Sequence, residues 1–378
     1  MRLPVNLLRH VRRAAAHRPA WQQLSDLLVH KLKVNIGPAD YYDLQLYEDR
    51  WTWEEKSRCL GYNGSRYWPY EGNSLKFERL FSRKGMQKAL MQGLGLPTPK
   101  LLALVGSDYP VSTLDGFRSL LGGIDTAFVI KPDGSLGGDD VMVLRPDGNG
   151  YRKGDESLSV EDVWAFYEGH LARGMIVEER AENHLLLDRI YPAALNTLRV
   201  ISIQTRDRRW HHPHSYLRVG RGGAQVDNSM FGGLMVRIED GVTQGQGWAC
   251  NRDEWFEAHP DTGARFDCVE LPFFEEALRL VHEACQHFGF MRTIGWDIAL
   301  TPTGPMIIEA NAFWNSKRIQ LMIGPVITPE IATGLQARSW YTPWDRSHMY
   351  PNYRLHHAGG PIQRWHARRR ARFATGGP

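Results

Sequence analysis

The stretch that decides the reading runs from Thr293 to Asn311, TIGWDIALTPTGPMIIEAN. Two apolar runs flank Thr301-Pro302-Thr303-Gly304. Proline at the second turn position and glycine where φ must be positive predict a β-hairpin closed by a three-residue loop. In that register Asp297 stands opposite Glu309. Asn311, two residues further on, shares the face of Glu309, because side chains alternate along a strand. Trp296, Ile298, Leu300 and Ile308 then point the other way, into a core. Two carboxylates and an amide, with no histidine or cysteine beside them, form a hard oxygen set that suits Mg²⁺ shared with nucleotide phosphates. A hairpin with two merely exposed acids is the competing reading, and the apolar flanks speak against it.

Working outward, three weaker signals precede the hairpin. Residues 128–141, FVIKPDGSLGGDDV, read as a buried strand delivering Lys131, followed by a glycine loop with Gly134, Ser135, Gly137 and Gly138. Glycines let backbone N–H groups approach phosphate oxygens closely. No GK[ST] closes the loop and no GxGxxG opens a helix, so it is neither a Walker A loop nor a dinucleotide fingerprint. A plain hairpin is the alternative. The run Met175-Ile-Val-Glu178-Glu179 reads as a strand whose backbone could meet adenine and whose carboxylate could meet ribose. Arg199 and Arg218 fall on successive strand-like runs, where two guanidiniums could clamp a phosphoryl group or a carboxylate. Surface strands also carry arginines routinely.

The pattern from about residue 75 onward is α/β. Residues 83–94 suit a helix ending before Gly95-Leu96-Pro97, and 160–172 suit another. Strand-like runs lie at 127–131, 141–144, 175–177, 198–203, 216–219 and 234–238. A helix opened by Pro272 places Phe274, Ala277, Leu278, Val281, Cys285 and Phe288 on one apolar stripe, so Cys285 reads as an inert core thiol. Residues 41–70 hold nine Tyr or Trp, rings that either stack on a flat substrate or pack a helix against its neighbour. His211, His212 and His214 have no distant partner in the pattern, so they read as an exposed strand rather than a zinc site.

At 378 residues, 42% hydrophobic and 23% charged, the chain can build a large core in two or three packed subdomains, and global disorder is excluded. Residues 1–18 carry five arginines and no acid, and so do residues 361–378; without these ten, the formal +4 becomes −6 for the middle. A mildly acidic body argues against specific nucleic-acid binding. The basic ends leave open a weak electrostatic contact with anionic lipid, RNA or a partner. Residues 1–33 read as basic amphipathic helices, docked on the protein or lying on a membrane. The four cysteines show no metal-ligand spacing and no CxxC, which suits a reducing compartment, and the cytoplasm is the expected location. No apolar run approaches the roughly 20 residues of a transmembrane helix.

In sequence order, Lys84…GLPTP (95–99), FVIKPDGSLGGDDVMVL (128–144), MIVEE (175–179), NTLRV (196–200), VDNSMFGG (226–233), HPDTG (259–263) and the hairpin resemble the ATP-grasp superfamily. The nearest likeness is to its sugar-transfer-associated family, with a looser likeness to glutamate-ligase-like members. The resemblance covers roughly residues 75–325. It implies an α+β ATP-grasp fold, two α+β subdomains closing on ATP, preceded by a helical, aromatic-rich N-terminal region. The expected boundaries are 1–74 for that region, 75–174 for a lid subdomain with the glycine loop, 175–330 for a C-terminal subdomain with the hairpin, and 331–378 for a basic extension. Lys84 and Lys131 then correspond to phosphate-contacting lysines, Gly134 to Gly138 to a mobile phosphate cover, and Glu178 and Glu179 to the adenine hinge. Asp297, Glu309 and Asn311 correspond to ligands of Mg²⁺, expected as two ions. Arg199, Arg218 and Asn228 correspond to positions holding the γ-phosphate and an acyl intermediate. The implied activity is an ATP-dependent carboxylate–amine ligase acting on small molecules through an acyl phosphate, in a glycan, peptide or natural-product pathway. A phosphotransferase and a non-catalytic binding protein are the alternatives. The oligomeric state is not specified.

Overall fold

The structure, a computed structural model, describes residues 10–12, 14–34, 36–61, 73, 81–134, 140–229 and 232–335. The first of these form helices α1 (Ala20–Val34), α2 (Pro38–Asp43) and α3 (Trp53–Arg58). Helix α3 opens on a capping box, in which the Thr52 hydroxyl accepts from the Glu55 N–H and the Glu55 carboxylate accepts from the Thr52 N–H. Tyr41, Tyr42, Tyr47 and Trp51 are buried here with Val34, Ile36, Leu44 and Leu46. Four rings of the aromatic-rich segment therefore pack a small core of their own. Tyr62, Tyr67, Trp68 and Tyr70 lie outside the described residues.

This region is bound to the C-terminal half. The Leu60 N–H donates to Gln320 Oε1 at 2.7 Å and Gln320 Nε2 returns a bond to the Leu60 carbonyl at 3.0 Å. The Asn73 side chain donates to the Thr293 and Ala312 carbonyls and accepts from the N–H groups of Arg292 and Thr293. One buried amide thereby uses both its donor and acceptor capacity at the base of the hairpin.

Next come α4 (Lys84–Gly93), β1 (Leu101–Val105), α5 (Leu114–Gly122), β2 (Phe128–Pro132), β3 (Met142–Asp147), β4 (Gly150–Lys153), β5 (Glu156–Leu158), α6 (Val160–Tyr167) and β6 (Met175–Glu179). The strands make a sheet of order β1-β6-β2-β3-β4-β5, with antiparallel pairing throughout. Phe117, Leu121, Val163 and Tyr167 from α5 and α6 cover one face against Phe128, Ile130 and Val177. Strand β6, which the expected boundary at 174/175 assigns to the second half, is hydrogen-bonded between β1 and β2. It belongs to the first sheet, and the chain leaves that sheet only after Glu179.

The second half holds α7 (Leu185–Ile190), β7 (Thr197–Gln204), β8 (Trp210–Val219), β9 (Leu234–Glu239), β10 (Val242–Ala249), β11 (Glu254–Phe256), α8 (Phe274–His287), β12 (Thr293–Thr301), β13 (Gly304–Asn311), α9 (Ser316–Met322) and α10 (Pro329–Leu335). The sheet order is β11-β10-β9-β8-β7-β12-β13. Ala277, Val281, Ala284 and Cys285 of α8 pack on Val200, Trp296 and Ile298. Ile319, Ile331 and Leu335 of α9 and α10 cover the opposite face at Ile201, Ile203 and Tyr216. With both faces covered, β12 is buried along its whole length. Cys285 is fully buried and burial pushes its thiol up to about 12, as expected of a core thiol.

The hairpin differs from expectation in its closure. Thr301 pairs with Gly304, so the loop is two residues, with Gly304 at φ 135°. A β-bulge between Asp297 and Ile298 absorbs the one-residue offset, so Ile298 pairs with Ile307 while Asp297 still pairs with Glu309. Ile307, not Ile308, therefore enters the core.

Candidate active site

The first sheet and α4 bring lysines together. The Lys84 N–H donates to the Asp133 carbonyl at 3.1 Å, and the Gly85 N–H to Asp133 Oδ1 at 2.7 Å. Asp133, 1% exposed, thus ties the start of α4, whose N–H groups lack helical partners, to the end of β2. A Cβ on Gly85 would run into the Leu104 side chain, so glycine permits this approach. Lys84 and Lys131 consequently lie on the same side of the sheet. Lys131 Nζ is 2.5 Å from Glu178 Oε1, and Lys88 Nζ is 3.3 Å from Glu178 Oε2 and 2.9 Å from Thr98 Oγ1. Burial pushes the Glu178 carboxyl up, but the two ammonium groups outweigh it and hold it below the usual range. Burial also brings the Lys88 ammonium down to about 8, against the pull of Glu178.

The second sheet brings arginines and acids together. Strand β7 lies between β8 and β12, with Arg199 opposite Asp297 on one side and Tyr216 on the other. Arg218, two residues beyond Tyr216, sits diagonally from Arg199 on the same face. Arg199 grips Asp297 bidentately, Nε to Oδ1 at 2.5 Å and Nη2 to Oδ2 at 3.0 Å. Arg218 Nη1 reaches Asp297 Oδ1 at 2.9 Å, while its Nη2 meets Asp227 Oδ1 at 2.6 Å. Asn311 Nδ2 completes the ring at 3.3 Å from Asp297 Oδ2. Asp227 Oδ2 accepts from the Thr197 hydroxyl and N–H. Burial would raise the Asp297 carboxyl, yet the two guanidiniums hold it below the usual range; at Asp227 burial prevails over Arg218 and the carboxyl stays raised.

Helix α4 joins the two assemblies: Lys84 Nζ donates to Glu309 Oε1 at 2.7 Å, Lys88 Nζ lies 3.5 Å from the Ile307 carbonyl, and the Gln87 amide donates to the Ala310 carbonyl and accepts from its N–H. Lys84, Lys131, Glu178, Arg199, Arg218, Asp297, Glu309 and Asn311 are thus linked or adjacent across the two sheets. Asn228 is buried beside Asp227, and its carbonyl accepts from the Gly233 N–H. Glu179 separates from Glu178: it is exposed, and its N–H bonds the Lys100 carbonyl. Gly134 is exposed at the end of β2, and Ser135, Gly137 and Gly138 lie outside the described residues.

Sequence reading misses Lys88 and Asp133. Lys88 had a signal, since four residues from Lys84 on a helix means the same face. The histidines do have a distant partner: His212 Nε2 lies 3.2 Å from His282 Nδ1, and its Nδ1 contacts Ser202 Oγ at 2.8 Å. Among the described residues no group of three or more His, Cys, Asp or Glu is clustered to hold a metal ion; the hairpin set is two carboxylates and an amide.

Two α+β halves, one carrying buried lysines and the other an acidic hairpin, are the architecture of an ATP-grasp protein. The family model described as sugar-transfer associated ATP-grasp matches residues 66–334, well over half the chain, and the protein belongs to that family. No protein of curated function matches it in sequence. Among solved structures it resembles an N5-carboxyaminoimidazole ribonucleotide synthetase in complex with ADP, at 12% identity over 63% of this chain and 46% of that one, TM-score 0.39. It also resembles a D-cycloserine synthetase, at 12% identity over 64% and 66%, TM-score 0.40. A D-alanine–D-alanine ligase from Bacillus anthracis matches at 11% identity over 62% and 57%, TM-score 0.33. The chain spans about half to two thirds of the length of these proteins.

Proposed function

We propose that this chain is an ATP-dependent ligase that converts a carboxylate to an acyl phosphate and joins it to an amine, releasing ADP and phosphate. The Lys84–Glu309 contact carries the reading, because it sets the lysines of one half against the acidic hairpin of the other. The family to which the chain belongs supports a nucleotide in that position.

The residues fit ATP and Mg²⁺ by their chemistry. Lys84, Lys88 and Lys131 gather three ammonium groups on two carboxylates, Glu178 and Glu309, an excess of positive charge that suits phosphates. Asp297, Glu309 and Asn311 offer hard oxygen donors, and their charge is now met by Arg199, Arg218 and Lys84. When bound, ATP supplies the phosphoryl group and Mg²⁺ the counter-charge for its transfer. The chain's own part is electrostatic and geometric. Lys131, steadied by Glu178, presents a point charge. Arg199 and Arg218 present rigid forks suited to a phosphoryl or carboxylate group. Glu178 and Glu179 lie where the chain passes between the halves, and a closed site excludes water that would hydrolyse the activated carboxylate. A carboxylate resists attack by an amine; its acyl phosphate does not, and holding the two in line makes the attack effectively unimolecular.

The test is to incubate the purified chain with Mg²⁺-ATP and a panel of amino acids, sugar acids and amines, measuring ADP, inorganic phosphate and condensed product by mass spectrometry. Equal amounts of all three support the ligase. Phosphate retained on the product identifies a phosphotransferase instead. ADP release no greater than that of Asp297→Asn leaves a binding protein.

A further inference from the structure

Helix α1 buries polar side chains and exposes a line of apolar ones. A surface helix ordinarily turns its apolar stripe inward. Here the buried positions include Gln23 and His30, 0% and 2% exposed. Gln23 Nε2 donates to the Val11 and Arg18 carbonyls and its Oε1 accepts from the Tyr42 hydroxyl; His30 Nδ1 meets the Asp26 carbonyl. Leu27 and Val34 pack inward, but four large apolar side chains face out: Trp21, Leu24, Leu28 and Leu32 are 69%, 62%, 61% and 62% exposed. Spacings of three, four and four residues put them in one line along the helix, about 16 Å long at ~1.5 Å per residue.

On the helix itself the exposed charge beside this line has one sign. The helix's only acid, Asp26, is turned inward, where it meets Arg18 Nε at 2.6 Å and the Tyr41 hydroxyl at 3.0 Å. Lys31 and Lys33, either side of Leu32, are exposed. The chain ahead of the helix, residues 1–18, adds four further arginines besides Arg18, which is paired with Asp26 and Asp49, and no acid. A second copy of the face would bring no carboxylate to meet these cations, whereas an anionic headgroup layer over acyl chains complements both the apolar line and the lysines. At 15 residues the helix is too short to span a bilayer.

We propose that α1 docks flat on an anionic lipid surface, with Trp21, Leu24, Leu28 and Leu32 inserted at the headgroup boundary and Lys31 and Lys33 on the phosphates. The experiment is co-sedimentation of the full-length chain with vesicles of phosphatidylcholine alone and of phosphatidylcholine with phosphatidylglycerol. Binding to the anionic vesicles should be about tenfold tighter or more, and weaken with salt. Leu24→Ser with Leu28→Ser should reduce it at least about tenfold, since several buried methylenes are lost at each position. Lys31→Glu with Lys33→Glu should remove most of the preference for anionic lipid. All four side chains are exposed, so circular dichroism and ATP turnover should match the parent. Absence of vesicle binding by the parent overturns the proposal. So does parental binding by both double variants, which would assign it to the arginine-rich ends. A parent dimer made monomeric by Leu24→Ser with Leu28→Ser, with vesicle binding unchanged, would assign the face to a second copy.

Discussion

The two sheets contribute buried ionic clusters of different character. On the first, Glu178 stands between Lys88 and Lys131, two cations on one carboxylate. On the second, Arg199 and Arg218 are matched by Asp227 and Asp297, two on two. The lysine cluster is unbalanced, and burial, with a smaller contribution from the neighbouring Lys131 ammonium, depresses the ammonium of Lys88. A compact ammonium on a flexible stem can turn toward an incoming phosphate. The arginine cluster is neutral, with planar guanidiniums fixed by two strands, and Asp297 alone accepts four hydrogen bonds. The first is arranged to attract a polyanion and the second to hold an acid in one orientation.

The largest effect should come from the balanced cluster. Asp297→Asn leaves two buried guanidiniums with one fewer carboxylate. ATP turnover should fall about a hundredfold or more, and urea unfolding should show a loss of about 3 kcal/mol. Because the Asp297 carboxyl is held low in the folded chain, its contribution is complete above its ordinary pKa and disappears as pH falls through the folded value. The variant should therefore lose part of the parent's acid sensitivity. Next in size, Lys131→Met should weaken ADP binding by calorimetry roughly tenfold to a hundredfold, with a smaller loss of stability than Asp297→Asn because Glu178 keeps Lys88. If Asp297→Asn and Lys131→Met damage stability equally, the contrast between the clusters fails.

Lys88→Met sharpens the contrast through pH. The folded Lys88 ammonium titrates near 8, below its ordinary 10.5. Between those values the unfolded chain holds a proton that the folded chain does not, so stability rises with pH by on the order of 1 kcal/mol per unit. Urea titrations at successive pH values should show that rise in the parent and not in Lys88→Met. ADP affinity in the parent should fall over the same range as the charge is lost. The smallest effect is expected of Asp227→Asn, which leaves Arg218 on Asp297; turnover should fall about tenfold or less, read by steady-state kinetics.

Much of this was legible in local pattern. Turn chemistry and strand alternation bring Asp297 opposite Glu309 with Asn311 alongside, because a hairpin's partners are set by a few neighbouring residues. Even so, the bulge at Ile308 escaped, since a two-residue turn with a bulge and a three-residue loop give the same pairing at Asp297. The glycine-loop strand, the helix at Lys84 and the strands carrying Arg199 and Arg218 were also readable by period. The aromatic-rich segment was not decidable, since rings that stack on a ligand and rings that pack a core share one composition; burial of Tyr41, Tyr42, Tyr47 and Trp51 resolves those four.

The amino-acid sequence by itself determined the hairpin, its oxygen set and the order of elements, all short-range matters of turn residues and periodicity. Tertiary structure alone decided that β6 enters the first sheet, that Lys88 shares Glu178 with Lys131, that Asp133 clasps the start of α4, that His212 meets His282, and that α1 turns Leu24, Leu28 and Leu32 outward. Each depends on residues far apart in the chain meeting at a few ångströms, and such meetings follow from how sheets and helices stack rather than from the spacing of residues along any one of them.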